Sequence, residues 1–295
     1  MKRRRYVILE GGFGNQLWQL AFAHKLVSYG KVTLIKIVHE SEKQHSEIRT
    51  LDIEKVIENC GHEIELRKLT FERIFTRARF LTESNFNIYK DSIIDFRLSS
   101  WKDMLGVDLS KARKYIGYFQ SLHLLQAQVE VVVNELIETS NQHKPQIDLK
   151  GHNSNISIHM RGGDYFNPKH KDLFGVLSSQ YYLKLFEIIS EQHSEIATVI
   201  TNDPRYAKEI LVNKPEIKIL GPESIDAWES FILMMNSKVA CTANSSFSWW
   251  SGMVVKKLGG RMIVPFPWNK NELNSVGEYP DIYDAGMEKL SSSFL

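Results

Sequence analysis

Residues 156–166 read Ile156-Ser157-Ile158-His159-Met160-Arg161-Gly162-Gly163-Asp164-Tyr165-Phe166. A strand-like alternating run, Ile156–His159, passes straight into a cation, a glycine pair and a carboxylate. A buried strand that carries such groups to one end is a strand that ends at a site. Outward from this stretch the pattern recurs. Ala197–Thr201 reads as a strand ending in Asn202-Asp203-Pro204, and Val239–Ala243 as a strand ending in Asn244-Ser245-Ser246-Phe247. Ile217–Leu220 and Met262–Val264 complete the strands of this half. Between them, three segments predict helices: Tyr181, Leu185, Ile188 and Ile189; Ile225, Trp228, Phe231, Ile232 and Met235; and Trp249–Lys257. Strands alternating with helices predict a parallel, doubly wound α/β sheet. In such sheets ligands sit beyond the carboxyl ends of the strands.

The N-terminal half opens the same way. Tyr6–Leu9 is a short apolar strand, Gly11-Gly12-Phe13-Gly14-Asn15-Gln16 a glycine loop, and Leu17, Leu20, Ala21 and Val27 the face of a helix. Lys31–Val38 predicts a second strand. Residues 40–115 mix short apolar runs with charge and give no clear period. Leu122, Leu125, Val129, Val132, Val133 and Leu136 mark an amphipathic helix. The polar stretch Asn141–Asn155, with Pro145 and Gly151, reads as a linker. The domain division that follows is 1–150, 151–275 and a tail, 276–295.

Composition narrows the class. The chain has 295 residues, 43% of them hydrophobic, enough for one large domain or two ordinary ones. A formal net charge of +2 is not that of a nucleic-acid-coating protein. The basic run Lys2–Arg5 reads as a solvated N-terminus, with attraction to anionic lipid headgroups as the sharper alternative. No run approaches about 18 apolar residues, and Tyr6–Leu9 is too short for the core of a signal peptide. The expectation is a soluble, cytoplasmic protein. Cys60 and Cys241 show no disulfide or metal spacing and read as small buried hydrophobes.

The polar clusters carry the chemistry. Arg161 offers a planar fork of donors suited to phosphate. Gly162 and Gly163 let backbone approach a ligand. Ser245 and Ser246 stand where a helix begins, where they can cap it or help its N-terminus hold a phosphate. Taken singly, each has an ordinary reading. Arg161 can be an ion-pair residue, Asp164 a turn former, His159 a satisfied core histidine, and Trp249 and Trp250 core side chains. Their joint placement at successive strand ends favours a diphosphate site. A dinucleotide fingerprint fails, because the third glycine of G-x-G-x-x-G falls on Leu17. There is no phosphate-binding G-x-x-x-x-G-K run, no Asp-x-Asp and no His/Cys run with zinc spacing.

These stretches resemble a known family. Gly11-Gly12-Phe13-Gly14-Asn15-Gln16-Leu17-Trp18-Gln19 is similar to the opening G-G-L-G-N-Q-M-F-Q of α-1,2-fucosyltransferases, glycosyltransferase family eleven. Ser157–Tyr165 resembles their S-I-H-x-R-R-G-D-Y, and Thr201-Asn202-Asp203 stands where they carry S-D-D or S-N-D. Ala243–Gly252 resembles A-N-S-T-F-S-W-W-G-A, and Val264–Trp268 their closing V-x-P-x-x-W. The resemblance implies a GT-B architecture, with two Rossmann-like domains facing a cleft. It implies an acceptor-side N-terminal domain and a C-terminal domain that binds GDP-L-fucose.

The resemblance also implies inverting transfer without a metal or other cofactor, and a galactose-terminated glycan as acceptor. By position, Arg161 then meets the diphosphate, and His159, Asp203, Asn244, Ser245, Ser246 and Phe247 surround the donor. Gly12, Asn15 and Gln16 face the acceptor. The family's second arginine is Gly162 here. Arg161, Asp164 and Asn15 are the catalytic candidates, with Asp164 first and Glu10 second as general base. Such an enzyme suits bacterial O-antigen or surface polysaccharide assembly on a lipid-linked glycan at the inner membrane. Alternatives are another nucleotide sugar, a binding protein without turnover, and, more remotely, a nicotinamide enzyme.

Overall fold

The computed structural model describes residues 3–38, 53–70, 93–95, 101–143, 155–193, 197–214, 217–271 and 281–295. The chain divides into two units, Met1–Thr139 and Ser140–Leu295. The first carries strands β1 (Arg5–Leu9), β2 (Val32–Val38), β3 (Ile64–Thr70), β4 (Ile93–Asp95) and β5 (Lys114–Ile116). Its helices are α1 (Phe13–Leu26), α2 (Ile53–Ile57), α3 (Trp101–Leu105) and α4 (Leu122–His143), the last running into the second unit. The sequence put the boundary at residue 150, in a linker beginning at Asn141. The helix instead continues to His143, and residues 144–154 lie outside the described residues.

The five strands pair in parallel in the order β3-β2-β1-β5-β4. The winding reverses between β1 and β5, so the glycine loop after β1 opens at a switch point. Val7 and Tyr115, on these two strands, are fully buried, and Phe22 of α1 packs on Tyr115 and stacks on Phe119. At the start of β1, Arg5 is buried. Its guanidinium donates to the carbonyls of Arg3, Tyr29 and Ser110, and it lies 5.0 Å from the Tyr29 ring centre. Arg4 pairs with Glu65. Arg4 and Arg5 are therefore structural, and the Lys2–Arg5 run is not the free basic patch suggested by sequence. Lys2 lies outside the described residues.

The second unit carries β6 (Ile156–Met160), β7 (Thr198–Thr201), β8 (Lys218–Leu220), β9 (Val239–Cys241), β10 (Arg261–Phe266) and β11 (Glu288–Ser291). Helices α5 (Pro168–Leu173), α6 (Ser179–Gln192), α7 (Pro204–Ile210), α8 (Ala227–Met235) and α9 (Ser246–Lys257) connect them. The order β11-β10-β9-β6-β7-β8, parallel throughout, is the Rossmann winding, with its switch point between β6 and β9. Every residue of β6 and β9 is buried, so both read as unbroken apolar runs despite Ser157 and His159.

β11 corrects the sequence reading, which left residues 276–295 as a tail. Only Leu290 of its four residues is buried, as suits an edge strand, and that single apolar side chain gave no period to read. Among the described residues, no helix is long and apolar enough to cross a membrane.

Candidate active site

Two loops meet at the second switch point, one after β6 and one after β9. Asn202 and Asp203, at the end of β7, hold the first loop in place. Gly162 N–H donates to Asn202 Oδ1 at 3.0 Å, and Asn202 Nδ2 donates back to the Gly162 carbonyl at 3.3 Å. Gly163 N–H donates to Asp203 Oδ2 at 3.0 Å. The other oxygen, Asp203 Oδ1, caps α7 by accepting from Tyr206 N–H at 3.1 Å. Asp203 was expected at the donor; both its carboxylate oxygens accept from backbone N–H groups. Gly163 has φ +59°, the left-handed region that favours glycine.

This clamp explains the missing second arginine. A Cβ at Gly162 would lie 2.9 Å from Asp203 Cβ, and Asp203 is pinned at both carboxylate oxygens. Gly162→Arg therefore forces the loop to move. We expect the change to destabilise the protein by about 1–3 kcal/mol, as overpacking does. Denaturant unfolding measures the change.

Arg161 follows β6 directly. Its Nη2 donates to both oxygens of Asp164, at 2.7 and 2.9 Å, and its guanidinium lies 5.0 Å from the ring centre of Tyr165. Its Nε is buried with no hydrogen-bond partner. Tyr165, which sequence analysis did not place in the site, ties the two loops together. Its hydroxyl donates to the Asn244 carbonyl at 3.0 Å, and burial pushes its pKa up to about 12, so it stays a donor. The Asn244 side chain donates to the carbonyls of Phe174 and Gly175, at 3.2 and 3.1 Å, while its buried Oδ1 has no partner.

Ser245 stands at the N-cap of α9, but its hydroxyl makes no capping bond. The helix thus presents its N-terminus without a side-chain cap, as an anion-binding end does. Phe247, in the first turn of α9, packs beside His159, with ring centres 5.7 Å apart, and edge-on to Phe231 at 5.2 Å. His159 is 3% exposed, and its Nδ1 is unpartnered. Burial, with a smaller push from the Arg161 charge, lowers its pKa to about 3, so it is a neutral imidazole at physiological pH. Thr242 Oγ1 is buried without a partner as well.

Four unpartnered polar atoms therefore lie on or just beyond adjacent strands β6 and β9: Arg161 Nε, His159 Nδ1, Asn244 Oδ1 and Thr242 Oγ1. Buried polar atoms are almost always satisfied, so such a group marks a binding surface. Trp249 and Trp250, 1% and 0% exposed, belong to the core, as the sequence suggested.

The His159 shift has a measurable consequence. An unfolded chain takes up a proton at His159 below its ordinary pKa of 6.5, and the native protein does not until about 3. Native stability should therefore fall as pH drops through that window, by at most about 1.4 kcal/mol per unit from this group. From pH 7 to pH 5 the wild type should lose up to about 2 kcal/mol more than His159→Asn in urea unfolding. Equal losses would remove the assignment.

The first unit builds a smaller polar cluster at its own switch point. Gly12 is the N-cap of α1, and Gly11, at φ +73°, turns the chain into it. Asn15 Oδ1 accepts from Gln120 Nε2 at 2.9 Å, and Gln16 Nε2 donates to the Gly11 carbonyl at 3.1 Å. Gln16 Oε1 is buried without a partner. Gln19, fully buried, accepts from Glu10 N–H at 3.1 Å and donates to the Gly117 carbonyl at 2.9 Å, joining the ends of β1 and β5. Gln120 and Gln19 escape a sequence reading because their partners are backbone groups or residues far along the chain.

The Rossmann winding agrees with the comparisons with known proteins. The chain is 24% identical over 295 residues to an α-1,2-colitosyltransferase of Escherichia coli, covering 92% of this chain and 95% of that protein. It is 24% identical over 296 residues to the O-antigen biosynthesis glycosyltransferase WbnK of Escherichia coli, covering 91% of this chain and 97% of that one. The crystal structure of the glycosyl transferase family 9 protein from Veillonella parvula DSM 2008 superposes with a TM-score of 0.51 at 11% identity. It covers 99% of this chain and 87% of that one, a likeness of fold that identifies the architecture as GT-B. The profile of Glycosyl transferase family 11 matches residues 5–286, spanning both Rossmann-like units and both polar clusters. On that match the protein is a glycosyltransferase and belongs to Glycosyl transferase family 11.

Proposed function

We propose that the protein moves L-fucose from GDP-L-fucose to the 2-hydroxyl of a terminal galactose, with inversion and without a metal at the diphosphate. The observation that carries this reading is the set of unpartnered donors and acceptors between Arg161, His159 and the open N-terminus of α9. As the C1–O bond breaks, negative charge grows on the β-phosphate. Arg161 and the helix N-terminus meet that charge more strongly in the transition state than before it. The sugar becomes oxocarbenium-like, as in other glycosyl transfers. Phe247 and neutral His159 supply an apolar and polar wall for the nucleoside. Asp164 is the proposed base; in this structure it is held by Arg161, and a diphosphate taking the guanidinium would release its carboxylate. Asn15 would orient the acceptor hydroxyl. The acceptor itself is an O-antigen glycan, a reading supported by the O-antigen relative, and its lipid linkage at the cytoplasmic membrane face is part of the proposal.

The test is GDP release from GDP-L-fucose, with and without a panel of β-galactosyl disaccharides, followed by linkage analysis of the product. Acceptor-dependent release with a new α-1,2 bond, at a rate unchanged by added or withheld Mg²⁺ or Mn²⁺, supports the proposal. A second reading, transfer of another deoxy sugar, is favoured by the colitosyltransferase relative. It is selected if GDP binds but GDP-L-fucose is not turned over with any acceptor while GDP-colitose is. GDP binding with no turnover of either donor would favour a binding protein.

A further inference from the structure

One group of titratable side chains lies apart from both switch points. His24 near the end of α1, Cys60 just after α2, and Glu135 in α4 converge, with one ligand-type atom from each all within 4.8 Å of one another. Among the described residues it is the one cluster with metal-ligand chemistry. His24 Nε2 lies 2.9 Å from Glu135 Oε1 and 3.1 Å from Oε2, and Cys60 Sγ lies 3.9 Å from the same Nε2.

That shared nitrogen decides between two readings. A nucleophilic relay needs the thiol on one imidazole nitrogen and the carboxylate on the other. Here both partners address Nε2, so no relay can form. Three ligands aimed at one point are instead the arrangement of a metal site. Tetrahedral zinc holds N, O and S at about 2.0–2.3 Å, which sets ligand–ligand separations of about 3.3–3.7 Å. The His24–Glu135 and His24–Cys60 separations differ from these by about half an ångström or less, and the Cys60 and Glu135 ligand atoms lie within 4.8 Å of each other, within reach of side-chain rotation.

The surroundings are built in advance. Cys60 N–H donates to the Ile57 carbonyl at 2.9 Å, closing the turn that follows α2. Asn59 Nδ2, next to Cys60, donates to Thr139 Oγ1 at 2.7 Å, and that hydroxyl donates to the Glu135 carbonyl at 2.7 Å. The turn is thus already fastened to α4 beside the cluster. All three side chains are at least partly buried. Burial, then the neighbouring Glu135 charge, pushes the Cys60 thiol well above its ordinary range.

We infer that His24, Cys60 and Glu135 bind one zinc ion, with water in the fourth position, which ties α1, α2 and α4 of the first unit together. Binding releases the Cys60 proton to solvent and requires the His24 tautomer with hydrogen on Nδ1. The role is structural and separate from sugar transfer, since His24 lies near the far end of α1 from Gly12, Asn15 and Gln16, and Cys60 and Glu135 come from outside the glycine loop.

The experiment uses the untagged full chain. Zinc content after dialysis should be about one ion per chain. Co²⁺ substitution should give a thiolate-to-cobalt charge-transfer band in the near ultraviolet. The band and the bound zinc should both be lost in Cys60→Ser, while GDP binding by the second unit is retained. A chelator should lower the thermal midpoint of the wild type and leave that of Cys60→Ser unmoved. A wild type that shows no charge-transfer band overturns the inference without any variant. So does a Cys60→Ser protein that keeps the same zinc.

Discussion

Replacing Arg161 by alanine should lower kcat/KM by about 10²–10³, or about 2.7–4 kcal/mol of transition-state stabilisation. The guanidinium is the strongest cation at the β6–β9 switch point, and its Nε is buried without a protein partner. Arg161→Lys should recover only part of the loss, because an ammonium supplies charge without the planar fork. The loss should appear in kcat as well as in affinity for GDP, since the charge it meets grows as the bond breaks. A variant within threefold of wild type would end the assignment of Arg161 to the diphosphate. Asp164→Asn, measured beside it, separates two roles. If Asp164 is the base, kcat falls while GDP affinity is kept. If GDP affinity falls and kcat holds, Asp164 serves only to hold Arg161.

The largest effect on stability should come from Trp250→Ala. Trp250 is fully buried in α9, edge-on to Trp249 with ring centres 5.2 Å apart. Trp249 in turn donates its Nε1–H to the Ile282 carbonyl at 3.0 Å, fastening the residues before β11 to the core. Truncation leaves a cavity too large to collapse and should cost about 3–5 kcal/mol. That is a large fraction of the stability of an ordinary domain, about 5–15 kcal/mol. Urea unfolding followed by tryptophan fluorescence and circular dichroism measures it. A loss below about 1 kcal/mol would mean that α9 is not packed as described.

The second unit was legible because its central strands are buried on both faces. Ile156–Met160 and Val239–Cys241 are apolar runs, and each breaks abruptly into polar residues at its carboxyl end. Two edge strands, β3 and β11, were not legible. β3 carries Glu65, Arg67 and Lys68 among its apolar residues, and β11 has a single buried side chain, so neither gives a clean period. In the site, sequence reasoning placed Arg161, His159 and the Asn244–Phe247 loop at the right strand ends. It expected Asp203 at the ligand and did not foresee that its carboxylate also fastens a loop. It passed over Tyr165, whose partner is a backbone carbonyl, and Gln19, whose partners are a backbone N–H and a backbone carbonyl. It expected Cys60 to be a small buried hydrophobe. Cys60 is only partly buried and lies against His24 and Glu135, residues too distant in sequence to suggest a cluster.

Purely parallel sheets have a kinetic consequence. Among the described residues, no strand of either sheet finds its neighbour through a hairpin, so each of these pairings closes a long loop, and loop closure must precede any reward from the contact. The loops after β6 and β9 meet only after Ile156 has paired with Val239, across the chain that forms β7, β8 and the four helices α5–α8. Recovery of GDP binding during refolding should therefore lag the burst of helix signal. Nucleotide affinity becomes a reporter of the last topological step, not of compaction.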